Sequence, residues 1–203
     1  MSQASALRLL LLSMIWGSSF VFYKIAAADM APAFMAALRV AFGALFLGGL
    51  FALTRKQTQV AKRWKLIAVI AVFASALPFT LVAYASFTVT ASVLVIINAT
   101  APIWAALVAL VWTRAVPSPM ALLGLVLGLL GVAIIVGFDA ATLNTEGTGL
   151  GVAAALAAAA CYGIATNMAK YLGSDIDPLT NAFGCLLMGS FILMPFVPFN
   201  LPE

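Results

Sequence analysis

Seven apolar segments, each about 20 residues long, follow one another along this chain of 203 residues, with short polar loops between them. A run of this length is enough to cross the hydrocarbon core of a bilayer as an α-helix. Helices are favoured there because they satisfy their own backbone hydrogen bonds without water. The sequence therefore predicts an all-α membrane protein, a multi-span helical bundle with seven spans. The segments cover residues 7–24, 33–53, 66–86, 91–112, 120–138, 150–171 and 179–199.

The composition excludes several classes of function. The chain is 65% hydrophobic and 8% charged, whereas soluble domains have about 45–50% apolar and about 25% charged residues. There is no histidine, which removes histidine metal sites and Ser-His triads. No acidic residue stands inside any of the seven segments. We therefore expect neither an enzyme nor a cofactor, and we expect lipid rather than nucleic acid around the protein.

Lysine and arginine are concentrated in the loops on one side of the predicted bundle. Such residues mark the cytoplasmic side of a multi-pass protein, so we expect a cytoplasmic N-terminus in the inner (cell) membrane. Thr58 then faces the cytoplasm and Asn144 the outside, where Asp29, Asp139 and Glu146 also lie. The basic residues on the cytoplasmic side are Arg8, Arg55, Lys56, Lys62, Arg63, Lys65, Arg114 and Lys170.

The N-terminus also resembles a signal peptide, because Arg8 precedes an apolar run that ends in small residues at 26–28. Two features argue against cleavage. The next apolar segment follows at once, and the polar stretch Trp16-Gly17-Ser18-Ser19 is unusual for the core of a signal sequence. We favour a first membrane span.

A shift of 146 residues aligns the start of the chain with its end. The matched pairs include Gly17 with Gly163, Lys24 with Lys170, Asp29 with Asp175, Pro32 with Pro178 and Gly43 with Gly189. The repeat unit holds five spans, and because five is odd the second copy enters the membrane inverted. We expect a first five-helix repeat at 1–138, a linker at 139–149 and a partial second repeat at 150–203.

Inverted repeats are typical of secondary transporters, which bind solutes near the bilayer midplane and work by alternating access. The second copy contains two spans and is incomplete. We expect the chain to be a truncated piece, a gene fragment or a degenerate copy that does not transport alone. The alternative is a non-transporting scaffold or an inert relic.

Four motifs resemble the EamA-type branch of the drug/metabolite transporter superfamily. They are "WGSSFVFYK", "PAFMAALRVAFGAL", "ATAPIWAALVALVW" and "LGLVLGLLGVAIIV". The resemblance implies ten helices, a central cavity and transport, with export as our expectation, of small metabolites such as amino acids. One departure is Thr113 before Arg114, where the family usually has glutamate. We therefore do not assign the role of that glutamate in the family to Thr113 of this chain.

The first segment carries a candidate binding face. Trp16, Ser19, Phe20 and Tyr23 have the spacing i, i+3, i+4, i+7, which places them on one side of a helix. Aromatic rings beside a hydroxyl suit a cavity wall that contacts an amphipathic solute. The alternative is a packing face with an interfacial tyrosine.

Two cations stand in or near the first two segments. Lys24 is close to a helix end, where its long side chain can reach the interface. Arg39 lies about two turns into the second helix, where reaching water is harder. We interpret Arg39 as facing the bundle, in either a structural or an anion-binding role.

Polar residues and prolines interrupt the third and fourth segments. Pro102 cannot bond to the carbonyl of Asn98, which leaves a polar spot beside the Asn98 amide. Pro78 acts similarly in the third segment, with Tyr84 nearby. We predict solute binding or gating at Tyr84, Asn98 and Pro102, with a static kink as the alternative.

Tyr162 and Asn167 lie in the repeat of the first segment, and we expect them to face it across the cavity. Gly124 and Gly128 form a GxxxG motif in the fifth segment. This is a close-packing face, either within the bundle or across a homodimer.

Overall fold

The computed structural model describes residues 3–54, 58–114, 118–138 and 147–199, and the regular structure in these ranges is helical throughout. The predicted all-α fold is confirmed. The helices are α1 (Gln3–Ala26), α2 (Pro32–Thr54), α3 (Val60–Ala71), α4 (Leu77–Ala85), α5 (Ala91–Asn98), α6 (Ala101–Thr113), α7 (Pro119–Phe138), α8 (Thr148–Tyr171) and α9 (Pro178–Leu193). A π-helical segment, Val72–Ala76, joins α3 to α4, and a short 3-10 helix, Met194–Phe199, follows α9.

Six stretches among the described residues are long and apolar enough to cross a membrane. They are Ser5–Ala26, Pro32–Thr54, Val60–Ala85, Ala91–Thr113, Thr148–Tyr171 and Pro178–Pro198. The remaining predicted segment, 120–138, is the 20-residue helix α7. Its stretch Pro119–Gly128 is apolar. Most of the predicted linker 139–149, with Asn144, Asp139 and Glu146, lies outside the described residues, as do Arg55 and Lys56.

Both predicted interruptions are observed. The third span contains the π-helical segment just before Pro78, which stands in the first turn of α4. The fourth span is divided between α5 and α6, with Pro102 in the first turn of α6. Proline is tolerated at a helix start because its missing N–H is not needed there. Thr100, at the division, is buried and donates its hydroxyl to the carbonyl of Ile97 at 2.6 Å.

Helices α8 and α9 pack into the bundle formed by the earlier helices. The alanine-rich helix α8 lies against α4 and α6, and α9 lies against α2 and α3. Close approach depends on glycine: a Cβ added at Gly163 would lie 2.7 Å from the backbone nitrogen of Ala105. Small residues are favoured at such crossings because helices in lipid associate mainly through close packing and interhelical hydrogen bonds.

The helix boundaries follow the 146-residue repeat. Helix α2 begins at Pro32 and α9 begins at Pro178. Helices α1 and α8 end at Ala26 and Tyr171, and each has a lysine in its last turn. The two pairs therefore share their start and stop signals.

Two contacts fix the relative directions of α1 and α8. Lys24, near the end of α1, bonds to the carbonyl of Ser86 after α4. Asp175, just after α8, pairs with Arg63 near the start of α3. Since α3 and α4 lie at opposite ends of one span, α1 and α8 end on opposite sides of the bundle. This is the inverted arrangement that the repeat predicts.

Candidate functional site

A cavity of about 290 Å³ lies beside the turn between α1 and α2. Its wall is mostly apolar, with polar groups from a serine, a tyrosine and an arginine. Three residues of the predicted site, Ser19, Tyr23 and Arg39, line it together. The full lining is Ser19, Phe22, Tyr23, Ala26, Met30, Met35, Leu38 and Arg39.

Arg39 supplies the positive charge of the cavity. Its guanidinium carbon lies 4.3 Å from the ring centroid of Phe79 and 5.3 Å from that of Tyr23. Aromatic faces attract cations, with about 0.5–2 kcal/mol per contact depending on desolvation. No carboxylate pairs with Arg39 in the part of the chain that the structure describes. The arginine therefore contacts aromatic rings of α1 and α4, on the side of α2 that faces these two helices.

Tyr23 brings a buried hydroxyl to the same wall. Its side chain is only 6% exposed and packs against Met35, Val82, Ala83 and Ala158. Its hydroxyl lies beside the Arg39 guanidinium, which can only donate to it, and the hydroxyl proton finds no acceptor among the described residues. A buried polar group without a partner costs free energy. A solute with an acceptor oxygen could satisfy this hydroxyl.

Ser19 is already engaged with its own helix. Its hydroxyl donates to the carbonyl of Ile15 at 3.0 Å, a bond common for serine in apolar helices. Ser19 therefore offers the cavity a lone pair more readily than a donor.

An aromatic contact connects the cavity wall to α8. Phe79, which contacts Arg39, lies 6.4 Å from the ring of Tyr162, centroid to centroid. Tyr162 is half-buried on α8 and does not line the cavity itself. Phe79 escaped the sequence analysis, although it directly follows Pro78, which marks the break in the third span. Met35 was also missed, and its signal was the i, i+4 spacing to Arg39.

Five other residues of the predicted site lie away from this cavity. Trp16 and Tyr84 are 57% and 45% exposed, and Pro102 is exposed as well. Phe20 packs with residues of α5 and α8 in the core. Asn98 is half-buried at the end of α5. Their predicted contact with a solute stays a prediction.

Asn167 has a defined structural partner. Its amide nitrogen donates to the carbonyl of Ala105 on α6 at 2.8 Å and to that of Gly163 at 2.9 Å. The side chain is buried where α6 and α8 cross, and it is not part of the cavity lining. These bonds join α8 to α6, so they account for an amide inside an apolar helix.

Among the described residues, no group of three or more Asp, Glu or Cys side chains lies close enough together to hold a metal ion. The two cysteines, Cys161 and Cys185, are free and buried. The wall of the cavity offers a cation, a hydroxyl and apolar surface, which suits solute binding rather than acid–base catalysis.

Fold and site together define a multi-span α-helical membrane protein with inverted helix pairs and a cationic, largely apolar cavity. The EamA-like transporter family matches residues 4–137, more than half of the chain, and the protein belongs to that family of membrane transporters. No curated protein and no solved structure matches the chain significantly.

Proposed function

We propose that the protein is a secondary transporter that exports small metabolites, such as amino acids, by alternating access, with the cavity beside Tyr23 and Arg39 as its solute site. The observation that carries this proposal is Arg39, which contacts two aromatic rings and pairs with no acid among the described residues, in a cavity of a transporter-family protein. A charge among apolar helices is costly and is usually functional.

The position of the cavity relates the proposed solute site to the proposed transport cycle. The cavity is lined by α1, α2 and the turn between them. The ring of Phe79 connects its arginine to Tyr162 on α8, in the second repeat. Movement of one repeat against the other would therefore change the contacts around Arg39. Such rocking is how inverted-repeat transporters expose one site to two sides.

The experiment compares cells that express the complete reading frame with cells that express Arg39→Gln or Tyr23→Phe. Mass spectrometry of the medium identifies solutes whose export depends on the protein without assuming their identity. We expect such solutes for the wild type and a clear loss for both variants at equal expression. Tyr171→Phe is the matched control, since Tyr171 lies at the end of α8, outside the cavity.

Flux of an identified solute into proteoliposomes then tests transport directly. Equal flux by wild type and Arg39→Gln would contradict this site. Absence of any protein-dependent solute would favour the scaffold alternative.

Orientation forms part of the same proposal. We propose a cytoplasmic N-terminus in the inner membrane, on the basis of the lysine and arginine bias. Single cysteines at Thr58 and Asn144, in a background without Cys161 and Cys185, test it with an impermeant thiol reagent. In intact cells Asn144→Cys should be labelled and Thr58→Cys should not; the reverse result would contradict the proposal.

A further inference from the structure

We infer that the cavity selects organic monocarboxylates with an apolar body and does not recognise an ammonium group. This inference rests on the proposed function and narrows its small metabolites to carboxylates without an ammonium group, so that the amino acids given there as an example are replaced by simple carboxylates. The lining contains one cation, Arg39, and no acidic side chain. A zwitterion would bring an ammonium group into a wall that has no carboxylate to receive it.

The carboxylate end has two donors. The Arg39 guanidinium carries five N–H groups in a planar fork, and a carboxylate can accept two of them side by side. The Tyr23 hydroxyl is buried beside Arg39, and because its proton finds no acceptor among the described residues it is a further donor on the same wall. The rings of Phe79 and Tyr23 contact the guanidinium but carry no negative charge. Since no described carboxylate pairs with Arg39, an anionic solute would supply its counter-charge.

The other lining residues suit the hydrocarbon part of a solute. Phe22, Ala26, Met30, Met35 and Leu38 present apolar surface. Methionine side chains are flexible and adapt to ligands of different shape. A volume of about 290 Å³ is at the small end of ligand pockets. This cavity volume suits a solute whose apolar part is about as large as a single aromatic ring.

One acid stands near the cavity and must be tested. Asp29 is in the turn between α1 and α2, next to the lining residue Met30, but it is exposed and is not part of the wall. If Asp29 received an ammonium group, amino acids would be preferred over simple carboxylates. Asp29→Asn separates these two cases.

The experiment measures equilibrium binding of four related probes to the protein from its complete reading frame in lipid nanodiscs. The probes are phenylacetate, its uncharged amide phenylacetamide, the cation phenethylamine and the zwitterion phenylalanine. The variants are Arg39→Gln, Arg39→Lys, Tyr23→Phe and Asp29→Asn, with Tyr171→Phe, at the end of α8 and outside the cavity, as control.

Phenylacetate should bind at least about 10-fold more tightly than the other three probes, because only it offers a carboxylate without an ammonium group. Arg39→Gln should weaken its binding about 10- to 100-fold, and Tyr23→Phe about 2- to 10-fold. Arg39→Lys should retain part of the affinity, and Asp29→Asn and Tyr171→Phe all of it.

Three results would overturn the inference: equal binding of the amide, equal or tighter binding of phenylalanine, or no binding of phenylacetate. If Arg39→Gln fails to fold, the probe selectivity of the wild type and the Arg39→Lys result decide the question. Flux in proteoliposomes separates the two proposals. Phenylacetate binding without flux contradicts the proposed function alone, whereas flux of a cation or zwitterion without carboxylate preference contradicts this inference alone.

Discussion

Arg63 and Asp175 form a two-pronged ion pair between the start of α3 and the turn that follows α8. The Nη2–Oδ1 and Nε–Oδ2 distances are 2.6 Å and 3.0 Å. The pair connects the first repeat to the second at one end of the bundle. Its partners are partly exposed to solvent, so salt and pH should modulate it.

Asp175→Asn should lower thermal stability slightly near neutral pH. The Arg63 guanidinium holds the pKa of the Asp175 carboxyl below its ordinary value. A carboxyl whose folded pKa is depressed stabilises the fold above its unfolded pKa and loses that contribution as the pH falls through the folded pKa. The difference between wild type and variant should therefore persist at neutral pH and vanish in strong acid.

The control for this prediction is Asp29→Asn, since Asp29 is the repeat partner of Asp175 but has no ion pair among the described residues. Melting in detergent at low and high salt measures both variants. A deficit for Asp175→Asn that is unaffected by high salt would contradict an ion-pair origin.

Two glycines that the repeat aligns should respond in opposite ways to alanine. A Cβ at Gly163 would lie 2.7 Å from backbone atoms of Trp104 and Ala105, and helices α6 and α8 would have to separate. Gly163→Ala should destabilise the protein by about 1–3 kcal/mol. A Cβ at Gly17 meets nothing within 4 Å, so Gly17→Ala should be neutral or stabilise by up to about 1 kcal/mol.

Reversible unfolding in mixed micelles measures both glycine variants. Equal effects at the two positions would show that the crossing of α6 and α8 is looser than the structure indicates.

The repeated lysines should also differ. Lys24 donates to the carbonyl of Ser86 at 2.8 Å and to that of Val89 at 3.4 Å, just beyond the end of α4. These bonds satisfy carbonyls at a helix C-terminus, where a cation is favourable. Lys24→Met should cost about 1–2 kcal/mol.

Lys170→Met is the matched control for Lys24→Met, because the Lys170 ammonium lies over the ring of its neighbour Tyr171, at 5.1 Å. Its loss should have a smaller effect on the free energy of unfolding. A larger effect at Lys170 would refute the capping role of Lys24.

Replacement of Asn167 by leucine should affect stability rather than solute binding. The change leaves the Ala105 carbonyl without the Asn167 donor at a buried helix crossing, and interhelical bonds of this kind are worth about 0.6–1.7 kcal/mol. Thr166→Val is the control, since Thr166 is exposed and its hydroxyl bonds within its own helix. Weakened solute binding with unchanged stability would instead support Asn167 as a solute-contacting residue.

The sequence by itself determined the all-α fold, six membrane-length helical stretches among the described residues and the equivalent starts of α2 and α9. A helix in lipid makes its backbone hydrogen bonds within the segment, so length, hydropathy and proline position are local signals. Pro32 and Pro178 start equivalent helices, and Pro78 and Pro102 stand at the predicted interruptions.

Only the tertiary structure decided which side chains share the cavity. Trp16 and Tyr23 have the spacing of one helix face, yet Trp16 is exposed and Tyr23 is buried. The reason is that α1 meets its neighbours mainly near its C-terminal end, and sequence spacing carries no information about where along a helix its partners lie. Phe79 reaches Arg39 across a distance of 40 positions in sequence. Such contacts arise from the packing of whole helices, which no local pattern specifies.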